Sequence, residues 1–185
     1  ERIGSLKELL EELFTYTKLQ GGGYEIEMTV CRLNRILKET LFSYYEEWLE
    51  LGIEPEFSIS DEEIQVEAGS QALRRVIQNL IKNGMDHGEK KIHIALERQD
   101  DRAVMTFANQ VACPEKIDTE HVFDRFYKAD EARSRTSTGL GLSIARELVL
   151  RMKGTITARM EGNWFVAEVQ FPALTAEKDK NTESA

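Results

Sequence analysis

The apolar residues of this chain change their spacing along its length, and that change restricts the fold more than any other feature. Leu73, Val76, Ile77, Leu80, Ile81 and Met85 recur at helical intervals behind Ser70, which reads as an N-cap. Ile92, Ile94 and Leu96 then alternate across Lys91–Arg98, and Ala103–Phe107 is a second strand beyond the Gln99-Asp100-Asp101 turn. A helix over Leu140–Met152 precedes strands at Thr155–Met160 and Trp164–Phe171, which flank a Glu161-Gly162-Asn163 turn. Amphipathic helices interleaved with hairpins share one core by lying on a sheet. The pattern predicts an α+β fold, a two-layer α/β sandwich. Its mixed, mostly antiparallel sheet has about five strands, covered on one face by three helices.

Upstream, Leu6, Leu9, Leu10, Leu13, Phe14 and Leu19 mark an N-terminal helix that ends at Gly21-Gly22-Gly23. Its narrow stripe suits either a core helix or the tail of a dimerising coiled coil. Tyr24–Val30 alternates like a short strand. Leu33, Ile36, Leu37, Leu41, Tyr44, Tyr45, Trp48 and Leu51 predict one long helix closed by Gly52, followed by strand candidates Glu56–Ser60 and Ile64–Ala68 around Asp61-Glu62. The stretch from Asn109 to Thr138 reads as irregular except for a helical piece near Glu120–Phe126, and loops of that length are usually functional or mobile. Residues 175–185 read as a polar, disordered tail. Glu1 opens in mid-pattern, without a methionine or a signal-peptide pattern, which suggests a piece of a longer chain.

The formal net charge is −9, which argues against a nucleic-acid surface. A polyanionic ligand would need local cations. Cys31 and Cys113 form no disulfide framework and are expected as free thiols in a reducing compartment. No run approaches the ~20 apolar residues of a membrane span.

Thr138-Gly139-Leu140-Gly141-Leu142-Ser143 opens the last helix with two closely spaced glycines. Glycine admits close backbone approach, and the helix start presents unpaired N–H groups, so this segment suits phosphate. On the helix after Ser70, Asn79, Asn83 and Asp86 share one stripe at the border of the apolar face. An asparagine oxygen suits Mg²⁺, though an ordinary polar flank would look the same. Gly84 interrupts that helix, at a cost of roughly 1 kcal/mol against alanine unless something must pack closely there. Val122-Phe123-Asp124-Arg125-Phe126-Tyr127-Lys128, with Arg133 and Arg135, offers aromatics for a lid and cations for an anion. His87, His93 and His121 read as exposed or helix-end residues, none with a carboxylate immediately after it.

In their order and spacing, three of these segments resemble the motifs of the catalytic ATP-binding domain of sensor histidine kinases, within the wider family of gyrase-type and chaperone ATPases. Asn79–Gly88 resembles the asparagine box, Phe123–Lys128 the phenylalanine box and Thr138–Ser143 the second glycine box. The resemblance spans about Tyr24 to Pro172, and the first helix is similar to the second helix of the kinase dimerisation hairpin. It implies residues 1–20 as the end of that helix, 24–174 as the catalytic domain, and ATP and Mg²⁺ as ligands. Asn83 would take the metal, with Asn79 near the phosphates and Asp86 and Thr138 among the nucleotide-binding residues. The backbone of Gly139, Leu140, Gly141 and Leu142 would cradle phosphate, and Arg125, Tyr127 and Lys128 would contact the nucleotide. Asn109 stands where the family has an adenine-reading aspartate, and the Gly-x-Gly that follows it there is missing from Asn109–Cys113. A neutral hydrogen bond to adenine would be about half as strong as a charged one. Asp86 stands where the family is often basic.

The implied activity is ATP-dependent histidine phosphorylation. The acceptor histidine would lie upstream of Glu1, in a homodimer that passes phosphate to a response regulator. The domain would sit in the cytoplasmic portion of a membrane-anchored sensor. The alternatives are a degenerate nucleotide-binding or scaffolding module without kinase activity and a hydrolytic ATPase.

Overall fold

A computed structural model describes residues 2–129 and 138–175, with side chains from Leu10 onward. Helix α1 (Arg2–Gln20) leads to strand β1 (Thr29–Arg32), helices α2 (Leu33–Phe42) and α3 (Tyr45–Leu51), and strands β2 (Glu54–Ile59) and β3 (Gln65–Ala68). Helix α4 (Ser70–His87), the hairpin β4 (Lys91–Gln99) and β5 (Arg102–Gln110), and a 3₁₀ turn at Pro114–Lys116 follow. Helix α5 (Gly141–Arg151) and the hairpin β6 (Thr155–Glu161) and β7 (Trp164–Pro172) complete the described chain.

The main sheet has the order β2-β4-β5-β7-β6. Only the β2–β4 pairing is parallel. The architecture is therefore the expected α+β sandwich. Register makes the inner face explicit: Ile92, Asn109 and Phe165 lie in one row, Ile94, Phe107 and Ala167 in the next, and Leu96, Met105 and Val169 in a third. Apart from Asn109 these are buried hydrophobics, joined in one core with Leu73, Val76, Ile77 and Leu80 of α4 and Ile144, Leu148 and Val149 of α5. Outward positions carry polar residues such as Arg159 and Glu168, which pair across β6 and β7 at 3.0 Å.

Several local expectations change. The helix read as continuous from Leu33 to Leu51 breaks at Ser43 and Tyr44, where the Ser43 hydroxyl and N–H both donate to the Thr40 carbonyl. The break turns α3, so that Trp48 is 2% exposed while Tyr45 and Leu51 face solvent. The strand begins at Thr29, not Tyr24, because only Thr29–Arg32 find a partner in β3. The segments flanking Asp61-Glu62 do not form a hairpin: β2 joins the main sheet, and β3 pairs antiparallel with β1 in a separate two-stranded sheet. Gly69, not Ser70, holds the N-cap position of α4. The helical piece near Glu120–Phe126 is a series of turns, and among the described residues of that region the 3₁₀ turn is Pro114–Lys116.

Helix α1 meets the N-terminal expectation in extent. Leu19 is 1% exposed and sits in the core, whereas Leu10, Leu13 and Phe14 are exposed. Arg151 of α5 donates to the Leu19 and Tyr24 carbonyls and so fastens the junction after α1. Both cysteines are free thiols, Cys31 buried and Cys113 half-buried. Among the described residues no helix is long and apolar enough to cross a membrane. Arg133 and Arg135, and the tail from residue 176, lie outside the described residues.

Phe171 closes the core beneath the α5–β6 turn and is fully buried. A Cβ on Gly154 would come within 2.5 Å of its ring. Phe171→Ala is expected to cost about 3–5 kcal/mol in urea unfolding, the usual penalty for emptying a large aromatic site.

Candidate functional site: a cleft between helix α4 and the glycine-opened helix

Helix α4 packs its apolar stripe on the sheet and α5, which leaves one flank over an open cleft. Along that flank Asn79 is buried, Asn83 half-buried and Asp86 exposed, a gradient from core to solvent. The cleft has a volume of about 810 Å³, within the range of small-molecule sites. Asn79, Asn83, Asp86, Asn109, Tyr127, Lys128, Thr138, Gly139, Gly141 and Leu142 all line it. These sequence candidates, spread over 63 positions from Asn79 to Leu142, thus meet at one cavity.

The side chains of two sequence candidates lie elsewhere. The Leu140 side chain is 2% exposed in the core at the N-cap position of α5, while its backbone N–H, the part expected at phosphate, donates to Thr138 Oγ1. Arg125 turns away from the cleft: its guanidinium lies 5.0 Å from the Tyr16 ring centroid and donates to Gln20 Oε1 at 3.1 Å. A planar cation over an aromatic face is a favourable alternative to phosphate. Conversely, Lys82, His87, Lys116 and Glu12 line the cleft without having been singled out. Lys82 follows Asn79 by three residues, so helical periodicity could have found it. Glu12, from a distant helix, had no such signal.

The glycine segment is shaped by backbone geometry. Gly139 adopts φ +72°, and a Cβ there would lie 2.8 Å from Phe126 Cα. Phe126 itself holds φ +60° and donates its N–H to the Gly139 carbonyl at 3.0 Å. The two ends of the intervening lid segment are therefore clasped backbone to backbone, which only glycine permits at this approach. Thr138 Oγ1 accepts the Leu140 N–H at 3.0 Å, and Asn79 Nδ2 donates to the Gly141 carbonyl at 3.0 Å. Asn79 thus positions the start of α5, while the Asn83 carboxamide makes no hydrogen bond to another described residue. Its oxygen is free to face a ligand. Gly84, flagged as costly, proves roomy, since a Cβ there would only touch Ile92 and Asn109 at ordinary distances. The constrained glycine is Gly88, where a Cβ would fall 2.2 Å from the Gly84 carbonyl and 2.9 Å from Asn109 Nδ2.

Val122 and Phe123 are buried under the lid segment, and the Tyr127 hydroxyl accepts the Asp118 N–H at 2.7 Å. His121 does have a carboxylate partner after all, three residues before it: its Nδ1 lies 2.8 Å from Asp118 Oδ2. That hydrogen bond raises the pKa of His121 and lowers that of Asp118. Partial loss of water around the ring lowers the pKa of His87; the Asp86 charge opposes the shift and the Lys128 charge adds to it. His93, expected exposed, is half-buried on the outer face and hydrogen-bonded to Ser58 at 3.0 Å.

Comparison with known proteins agrees with this geometry. Residues 68–175 match the family model described as histidine kinase-, DNA gyrase B- and HSP90-like ATPase. The chain is 32% identical over 171 residues to the sensor protein DltS of Streptococcus agalactiae serotype III (strain NEM316), covering 89% of this chain and 42% of that one. It is 27% identical over 163 residues to the sensor histidine kinase YcbM of Bacillus subtilis (strain 168), covering 86% and 52%. The nucleotide-free catalytic domain of histidine kinase ThkA superposes with a TM-score of 0.68 at 25% identity, covering 80% of this chain and 96% of that one. ThkA in complex with the response regulator protein TrrA gives 0.73 at 24%, covering 94% and 48%. The chain belongs to the family of histidine kinase-, gyrase B- and HSP90-like ATPases. Within it, the chain is an ATP-binding catalytic domain of the sensor histidine kinase type. It spans about half the length, or less, of the two curated relatives.

Glu12 of α1 accepts a hydrogen bond from the Thr138 hydroxyl and lines the cleft at its glycine end. A carboxylate there opposes an incoming polyanion. Glu12→Gln is expected to tighten Mg-ADP binding by about five- to tenfold in calorimetry, the order of 1 kcal/mol for a partly solvated charge interaction.

Proposed function

We propose that this chain binds ATP with Mg²⁺ and delivers the γ-phosphoryl group to a histidine on a helix N-terminal to Glu1, for relay to a response regulator. The observation that carries the reading is the convergence of Asn79, Asn83, Lys128, Gly139 and Gly141 on one cleft. Phosphoryl transfer needs little covalent help from the protein, and catalysis comes from positioning and charge neutralisation. The residues here suit that role. Gly139 and Gly141 let the backbone approach phosphate at the start of α5. Lys82 and Lys128 bring positive charge to a chain of net charge −9. Asn79 keeps the glycine segment in place through the Gly141 carbonyl.

Asn83, with Asp86 one turn on, fits a magnesium ion: hard oxygen donors, few in number, beside a phosphate site. When bound, the ion would neutralise charge on the phosphate oxygens. Tyr127 and Lys128 would close over the nucleotide from the lid, and the Asp118 N–H bond to the Tyr127 hydroxyl anchors that segment. None of His87, His93 and His121 precedes an acidic residue, and none is proposed as the acceptor. The division proposed is residues 1–20 as the end of a dimerisation helix and 24–174 as the catalytic domain. The exposed Leu10, Leu13 and Phe14 support dimerisation through α1. A response regulator partner is supported by the complex of the related kinase ThkA with TrrA. The proposed place in the cell is the cytoplasmic side of a membrane-anchored sensor.

Titration with a non-hydrolysable Mg-ATP analogue tests the binding step. Asn83→Ala is expected to remove the magnesium-dependent part of the affinity, at least about tenfold, without lowering thermal stability by more than the ~0.5 kcal/mol typical of a surface change. Extended N-terminally through the preceding helices, the chain is expected to incorporate label from ATP into an acid-labile phosphohistidine. Binding without such label would favour a scaffolding role, and steady ATP turnover without label a hydrolytic one.

A further inference from the structure

We infer that Asn109 reads the purine base and that its carboxamide lets the cleft accept a 6-oxopurine as well as adenine. The inference rests on the nucleotide reading above and specifies its substrate class. The cleft runs along α4. From Asn79, bonded to the glycine segment, to Gly88, packed against Asn109, is nine residues, or about 13 Å at 1.5 Å per residue. Phosphate at the glycine end therefore places the base at the Asn109 end. There Asn109 shares a register row with Ile92 and Phe165, a polar side chain in an apolar row.

Asn109 is 4% exposed yet lines the cleft. Its Nδ2 donates to the Gln110 carbonyl at 3.4 Å, at the outer limit of a useful hydrogen bond. That carbonyl already accepts a 2.7 Å bond from the Glu89 N–H. Asn109 Oδ1 accepts no hydrogen bond from a described residue. Asn109 Oδ1 is not among the sealed-off polar atoms of the described residues, so it keeps acceptor capacity toward the cleft that a donor on a ligand can fill.

A carboxamide presents an acceptor and a donor side by side, and a half-turn of its terminal torsion exchanges them. Adenine offers an amino donor beside a ring-nitrogen acceptor. A 6-oxopurine offers a carbonyl acceptor beside a ring N–H donor. One orientation of Asn109 matches each base, so neither leaves a buried group unpaired. The protein bond that could select an orientation is the long one to Gln110. A carboxylate at this position accepts only, and it would set a negative oxygen against the 6-oxo group.

Calorimetry of the chain with Mg-ADP and Mg-IDP tests the inference. The two dissociation constants are expected within about tenfold of each other, and Asn109→Asp is expected to widen the preference for ADP by more than about tenfold, because its buried carboxylate cannot pair with the oxo group. A wild-type preference above tenfold overturns the inference, and so does an Asn109→Asp ratio that moves less. Both ligands are read on one sample, so partial unfolding of the variant leaves the ratio intact. Asn109→Ala is expected to weaken both nucleotides alike, and unchanged affinity for both would also overturn the role of Asn109. Tight ADP with far weaker IDP defeats this inference alone. Failure to bind either nucleotide defeats the nucleotide reading and the inference with it.

Discussion

The hydrogen bond from Asn79 Nδ2 to the Gly141 carbonyl ties the two halves of the site together. Helix α4 is committed to the core by Leu73, Val76, Ile77, Leu80 and Ile81, all buried. Its rotation about its own axis is thereby settled, and with it the direction in which Asn79, Asn83 and Asp86 face. Asn79 is the member of that stripe close enough to the core to reach α5. By holding the first residue of α5, it sets where the helix start, with its unpaired N–H groups, opens onto the cleft. The phosphate end of the site is thus a consequence of how one helix packs.

A second constraint is the clasp between Phe126 and Gly139. Two residues on either side of the lid segment both hold positive φ and share a backbone hydrogen bond. The pairing brings Tyr127 and Lys128 to the rim and fixes the spacing between lid and glycine segment. It also leaves Phe126 62% exposed, facing solvent and not core. Around this clasp α1 makes its own contacts: Glu12 with Thr138, and Tyr16 and Gln20 with Arg125. The N-terminal helix therefore contacts residues next to both ends of the clasp.

Much of the architecture was legible in the sequence because its signals are local. The alternation of Ile92, Ile94 and Leu96, the spacing on α4 and the glycine-opened α5 each follow from a face that must be buried. What could not be read was partnership. Nothing local tells the strand at Glu54–Ile59 to pair parallel with β4, or β3 to leave the main sheet for β1. The Leu33–Leu51 helix broke at Ser43 because a serine side chain competes for backbone carbonyls, an effect that periodicity does not register. In the site, the asparagine stripe and the glycines were legible from spacing. Arg125 was not, because its choice of Tyr16 over the cleft depends on where α1 lies.

By itself the sequence determined the fold class and the chemical types that could meet: amide oxygens on one helix flank, glycines at a helix start, and cations between them. Hydrophobic periodicity and backbone permissiveness act over a few residues, so they are written locally. The tertiary structure alone decided which of these groups face the cleft. It turned the Leu140 and Arg125 side chains away and brought in Glu12 and Lys82. It placed Asn109 as a buried, weakly bonded carboxamide at the far end of the cleft. It also showed that, at the C-terminal end of α4, close approach requires glycine at Gly88 and not at Gly84. Those outcomes depend on register between strands and on the seat of α1, which couple residues many positions apart and have no local signature.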